Sequence, residues 1–351
     1  MDVFQPNPGQ DGRRPFDARL QPTPDFGTLR PELPTGFSSE LSSSADFESK
    51  PRSNLRLLRI AAVVAGIALA LAVSGSGSMG TLRAKSSSRL ESPRKTGLPL
   101  SSDSDLDRQK PQKQAEMLLE RAVTRSDGAA NQIQARVDSW RGKLNWDAQL
   151  GELTTVALNS NDRGVRDSAI EVQLAAYGLT KSHSTVDALV KQANSSDHSK
   201  KIWAFWSLGL LANRGIETDR VIQVLAAHLK NPSATNDAAD NASEDSRRWA
   251  LESLALVGTT PTIAPLLDAM RNDPSSKVRE RAAGSLAESG MFTHDQRLLA
   301  VPQLIDYSDD PALDSQTRGW AFQALADITR QRLPNDSAAW RSWYQNHAAN
   351  N

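Results

Sequence analysis

The stretches SRRWALESLALVG (Ser246–Gly258), KVRERAAGSLAESG (Lys277–Gly290) and QTRGWAFQALADIT (Gln316–Thr329) are three copies of one pattern. Each carries a cation, an Ala three residues later and a Leu four beyond that: Arg247, Ala250 and Leu254; Arg279, Ala282 and Leu286; Arg318, Ala321 and Leu325. The copies are about 32 and 39 residues apart, the spacing of repeats built from two helices. An earlier copy, KKIWAFWSLGLLANRG, places Lys201, Ala204 and Leu208 in the same slots. The first copy, VRDSAIEVQLAAYG (Val165–Gly178), fits loosely, since Arg166 and Gly178 align together only with a one-residue shift.

An amphipathic segment precedes each copy: Leu150–Leu158, Val186–Ala193, Val221–Leu229, Ile263–Met270 and Leu298–Ile305. Turn formers separate the members of most pairs, among them Asn231-Pro232, Asn272-Asp273-Pro274 and Asp309-Asp310-Pro311. The fixed Ala lets paired helices approach closely, and the Leu four residues on shares its face. One pair cannot bury its apolar face alone, so the copies must stack. The fold expected is all-α, an α-solenoid of about five helix pairs over residues 145–330.

That segment resembles HEAT repeats of the short bacterial type, similar to those of phycobilin-lyase-like proteins. The resemblance rests on a Pro in the first helix, an Asp at the turn and an Arg in the second helix. Pro265, Asp273 and Arg279 fit it, as do Pro302, Asp310 and Arg318 with a longer turn. It implies that the repeated cations Lys201, Arg247, Arg279 and Arg318 pair with turn acids such as Asp273 and Asp310 and align the stack. A basic ladder for an anionic ligand is the competing reading.

The residues flanking the repeats are read as follows. Residues 111–144 supply N-terminal helices, Ala115–Val123 and Ile133–Leu144, and residues 331–351 a capping helix with Trp340, Trp343 and Tyr344 on one side. The insertion SATNDAADNASEDS after Pro232 is expected to be a mobile loop. Residues 1–56 carry eight prolines among polar residues and are expected to be disordered. Ile60–Val73 is an apolar run too short by itself for a bilayer core of about 30 Å. With the uncharged SGSGSMG after it, Leu57–Met79 is expected to form one transmembrane helix, followed by a flexible tether over 80–110. Ala70-Leu71-Ala72 resembles a signal-peptidase site, but the region before it is too long for a usual signal peptide. Lys50, Arg52, Arg56 and Arg59 before the run favour a cytoplasmic N-terminus. The expected placement is a single-pass protein of a bacterial inner membrane with the solenoid outside the cytoplasm.

Chemistry is hard to find. The chain has 41 basic and 41 acidic side chains, and the folded part is slightly acidic, which argues against capture of nucleic acid. It has no cysteine, so thiolate catalysis and cysteine-ligated metals are excluded. The five histidines lack metal-binding spacing, and His294-Asp295 reads as a capping turn. No phosphate-cradling loop or nucleophile elbow is present, so neither an enzyme, a cofactor nor a small-molecule substrate is expected. The candidate partner-binding residues are Trp203, Trp249 and Trp320, each directly before the fixed Ala. They lie at the edge of the buried face, where a Trp either packs between repeats or lines a binding surface. The expected function is a membrane-tethered interaction scaffold that presents its concave face to a protein. The alternative is an accessory or cofactor-handling, lyase-like subunit of an enzyme system.

Overall fold

In a computed structural model, the structure describes residues 102–124, 128–230 and 237–348. The expected tail (1–56), the membrane span Leu57–Met79 and the tether up to residue 101 lie outside the described residues. Among the described residues every regular element is helical, and no helix is long and apolar enough to cross a membrane.

Six helix pairs follow one another. They are α2 (Pro111–Val123) with α3 (Ala129–Trp140), α4 (Ala148–Leu158) with α5 (Arg163–Ala176), and α6 (His183–Ala193) with α7 (His198–Asn213). Then come α8 (Thr218–Leu229) with α9 (Asp237–Val257), α10 (Ile263–Asn272) with α11 (Ser276–Gly284), and α13 (Val301–Asp309) with α14 (Ser315–Thr329). A short α1 (Asp103–Asp107) precedes them, α12 (His294–Leu298) leads into α13, and α15 (Ser337–Ala348) packs on α13. The second helices form a continuous row, each packed on the next from α3 to α14. This is the expected solenoid, lengthened by one pair because α2 and α3 stack on α4 and α5 as a repeat does.

Local chemistry sets the boundaries. Asp147, Asp162, Ser182, Asp197 and Asp314 each accept a backbone N–H from the first turn that follows, which satisfies donors the helix cannot pair itself. Thr293 and Gln296 close a capping box at the start of α12, so His294-Asp295 does open a capped turn. Gly258 ends the third repeat with φ +65°, and a Cβ there would come within 2.5 Å of the Met291 Cβ. Backbone contact between repeats is that close because Met291 N–H donates to Ala255 O at 2.9 Å.

The central helix α7 shows what stacking achieves. Every residue from Ile202 to Ala212 is buried, so its apolar character all round suits a position with helices on both flanks and behind it. Gly209 is required by the approach of α9, since a Cβ would meet Ser253 O at 3.0 Å.

Three boundaries differ from expectation. The insertion is not a loop beyond residue 236: Asp237 onward extends α9, in keeping with its alanines and with acids near a helix N-terminus. Among the described residues helix is present already at Asp103–Asp107, within the stretch expected as tether, with Leu106 fully buried. The first helix of the last repeat is broken at Leu299–Ala300, where Pro302 enters the first turn of α13 and removes a donor that would otherwise continue α12.

Candidate interaction surface

Trp203, Trp249 and Trp320 are 2%, 7% and 2% exposed. The rings of Trp203 and Trp249 lie against aromatic side chains of the preceding repeat. The ring of Trp249 meets that of Trp206 edge-on, centroids 6.0 Å apart, and Trp203 stands 6.4 Å from Tyr177, which itself lies 5.0 Å from Trp146. The Arg248 guanidinium covers the other side of Trp249, 4.9 Å from the ring centroid. Trp146 and Tyr177 are half-buried, so the aromatic surface open to solvent here belongs to them and not to the row.

In two successive seams the residue before the fixed Ala meets the residue two after the fixed Ala of the preceding repeat. Trp249 meets Trp206 in this way, and Arg281 meets Glu252 with a bidentate bond whose outer arm is 2.8 Å. Arg281 and Glu252 are both buried. The fourth copy therefore replaces an aromatic contact by an ion pair at the same place. Glu171, also buried and two after Ala169, receives Lys181 at 2.7 Å and Arg214 at 3.0 Å. Sequence reading missed these acids, although their shared offset from Ala169 and Ala250 was a signal.

The cation slots divide into two groups. Arg247 reaches forward to the turn of the next repeat and binds Asp273 through Nε at 2.7 Å and a second nitrogen at 3.1 Å, both side chains buried. Arg279 donates to Asp273 O and Pro274 O in its own turn, and to Thr317 Oγ1 and Asp314 in the next repeat. Arg318 holds the backbone carbonyls of Asp310 and Leu313. The Asp310 carboxylate is taken by Arg271, from the end of α10, and not by Arg318. Lys201 has no ion pair among the described residues. Its charge lies near His228, which burial, and then Lys201, holds below the ordinary histidine value.

Arg297 is the most fully occupied cation. Buried beneath the last repeat, it donates to Ser285 O, Leu286 O, Glu288 O and Gly290 O. The first three are carbonyls of a π-helical turn, Ser285–Ser289, that ends the fourth repeat, and Gly290 follows it. Burial lowers its pKa to about 10, which still leaves it charged at neutral pH.

Among the described residues no group of three or more histidines and carboxylates is placed to hold a metal. A shallow hollow of about 220 Å³ lies between the third and fourth repeats, lined by Leu229, Lys230, Asp268 and Asp273 among others. Its acids are already engaged by Asn272 and Arg247.

The segment from the end of α8 to α14 matches a known family, described as HEAT repeats, over residues 232–326. Over those residues the chain is similar to HEAT repeats. The match covers the two copies that carry the Pro, Asp and Arg pattern, and the helix pairs before it stack in the same way. No curated protein matches the chain. HEAT repeats commonly mediate protein–protein interaction and typically serve as non-catalytic scaffolds.

Proposed function

We propose that the chain is a membrane-tethered scaffold whose HEAT-type solenoid presents its concave face to a protein partner at the cell envelope. The observation that carries this reading is the continuous row of second helices across six pairs, of which the HEAT match covers the last part. A row of that kind offers a long rigid surface with little conformational entropy to lose on binding. The apolar run within Leu57–Met79, with Lys50, Arg52, Arg56 and Arg59 before it, supports a single anchor with the solenoid outside the cytoplasm.

Crosslinking of the full chain in its native membrane, followed by identification of the attached proteins, tests the reading. One partner recovered in stoichiometric amount, with the chain resisting carbonate extraction, is the expected result. Release of the chain by carbonate removes the anchor, and absence of any crosslinked partner removes the scaffold. A reporter fused after Asn351 that is active only in the cytoplasm reverses the orientation.

A further inference from the structure

The cation slots of the third, fourth and fifth repeats are all satisfied, by Asp273, by Asp314 and Thr317, and by carbonyls. Those of the first two repeats are not. The side chains of Arg166 and Lys201 make no hydrogen bond or ion pair among the described residues, and the Nε of Arg166 is buried without a partner. The reason lies in the turns. The fourth repeat carries Asp273 two residues before its N-cap Ser275, whereas the second repeat carries Ser195 two residues before its N-cap Asp197. No carboxylate stands there for Arg166.

The nearby acids are spent elsewhere. Asp162 caps Gly164 and Val165, Asp167 pairs with Arg214 at 3.2 Å, and Asp197 caps Lys200 N–H. Exposed Arg163 stands one turn before Arg166 and also has no acid partner among the described residues, while Lys200 reaches Asp197 only at 3.8 Å. Burial depresses the Arg166 pKa, with Arg163 adding to it, against the opposing charges of Asp167 and Asp162. A half-buried guanidinium with no carboxylate hydrogen-bonded to it is costly, and a carboxylate presented in the plane of its donors relieves it.

We propose that Arg166 and Lys201, flanked by Arg163 and Lys200 on the first turns of α5 and α7, form a docking site for an acidic segment of a partner protein. This rests on the scaffold reading above and names the chemistry of the partner. The two cations occupy the same slot of α5 and α7, which pack on each other, so an acidic segment laid across both helices offers carboxylates to both.

The test uses the full chain and a fluorescein-labelled deca-glutamate peptide, with binding read by anisotropy at low ionic strength. Saturable binding is expected. It should weaken by roughly ten-fold or more in Arg166→Gln/Lys201→Gln, since each charge-assisted bond is worth about 1.5–3 kcal/mol. Lys277→Gln, whose ammonium already pairs with Glu244, should bind as the parent does. Arg166→Leu should keep or raise the melting temperature, whereas an Arg with a structural role would lower it. Equal binding by the double variant, a lowered melting temperature in Arg166→Leu, or competition by inorganic phosphate at the concentration of the peptide overturns the proposal. A chain that captures a partner in the membrane yet ignores the peptide sinks this site alone. Peptide binding with no captured partner sinks the scaffold reading instead.

Discussion

The contact between Glu252 and Arg281 shows how one slot in a repeat tolerates opposite chemistries. Trp206 and Trp249 fill the preceding seam with aromatic surface, and the ion pair fills the next with charge of matching shape. Breaking a buried pair from one side leaves an uncompensated charge, while exchanging both partners for apolar groups removes that cost. Arg281→Met should therefore destabilise the solenoid by about 3–5 kcal/mol, and Glu252→Leu/Arg281→Met by clearly less. Denaturant unfolding of the single and double variants checks this; equal losses would mean that packing, and not charge, holds the seam. In the sequence Arg281 stands in the slot, directly before the fixed Ala, that Trp203, Trp249 and Trp320 fill in the other copies. A position about 100° around the helix from the fixed Ala sits at the margin of the buried face. Periodicity there does not separate packing from surface, and only the neighbouring repeat, which closes over Trp203, Trp249 and Trp320, decides it.

At the scale of elements, the end of the fourth repeat concentrates what the pattern could not reveal. The copy KVRERAAGSLAESG was legible as a helix through its cation, Ala and Leu, yet its last turn widens into Ser285–Ser289, whose carbonyls turn toward Arg297. Arg297 lies outside the repeat pattern, so nothing in the three copies marks it. A π-helical turn exposes carbonyls that an α-helix would pair within itself. With three of them and the following Gly290 O held by one guanidinium, Arg297→Ala should cost at least about 3 kcal/mol, because buried acceptors lose a donor. Hydrogen exchange should then accelerate first in residues 284–292; loss confined to global unfolding, with no local effect, would contradict the role. The neighbouring Gly258→Ala should also destabilise, by about 1–3 kcal/mol, since its φ is +65° and the new Cβ would strike Met291. The extension of α9 teaches the converse lesson. Its polar letters resembled a loop, but Glu244 binds Ser275 at 2.7 Å and Lys277 at 3.1 Å, and Asp245 meets His198 at 3.0 Å. Those partners lie in the repeats on either side, and a local reading has no access to them.

Across the whole molecule, stability in a stacked array is a sum of helix pairs and the interfaces between them. Five of the six pairs were legible, because each needs its own apolar stripe and turn, while α2 and α3 lack the repeat pattern and show their membership only by stacking on α4 and α5. The charges that tie pair to pair were legible only where the turn acid is regular, as in Arg247 with Asp273. Many of these ties are carboxylates, and they predict how the molecule meets acid. The Ser275 hydroxyl and Lys277 hold Glu244 below the ordinary value of 4.5; backbone and side-chain bonds from Thr317 hold Asp314 below 3.8. Arg341 and His183 do the same for Asp309 and Glu217. A carboxylate with a depressed folded pKa contributes stability above its unfolded value and loses it as pH falls through the folded one. The main acid loss should therefore begin below about pH 4.5 and continue beneath 3.8. His228 adds an earlier, smaller limb. Burial against Phe205, whose ring lies 4.7 Å away, and the Lys201 charge depress its pKa below 6.5. The unfolded chain thus takes up this proton first, and stability falls from about pH 6.5 downward. Melting temperatures measured from pH 8 to 3 should show both limbs in the parent. In His228→Gln the limb near pH 6.5 should flatten while the carboxylate limb remains, and in Asp314→Asn the carboxylate limb should become shallower. Identical slopes in parent and His228→Gln between pH 7 and 5 would mean that His228 titrates alike in the folded and unfolded chain.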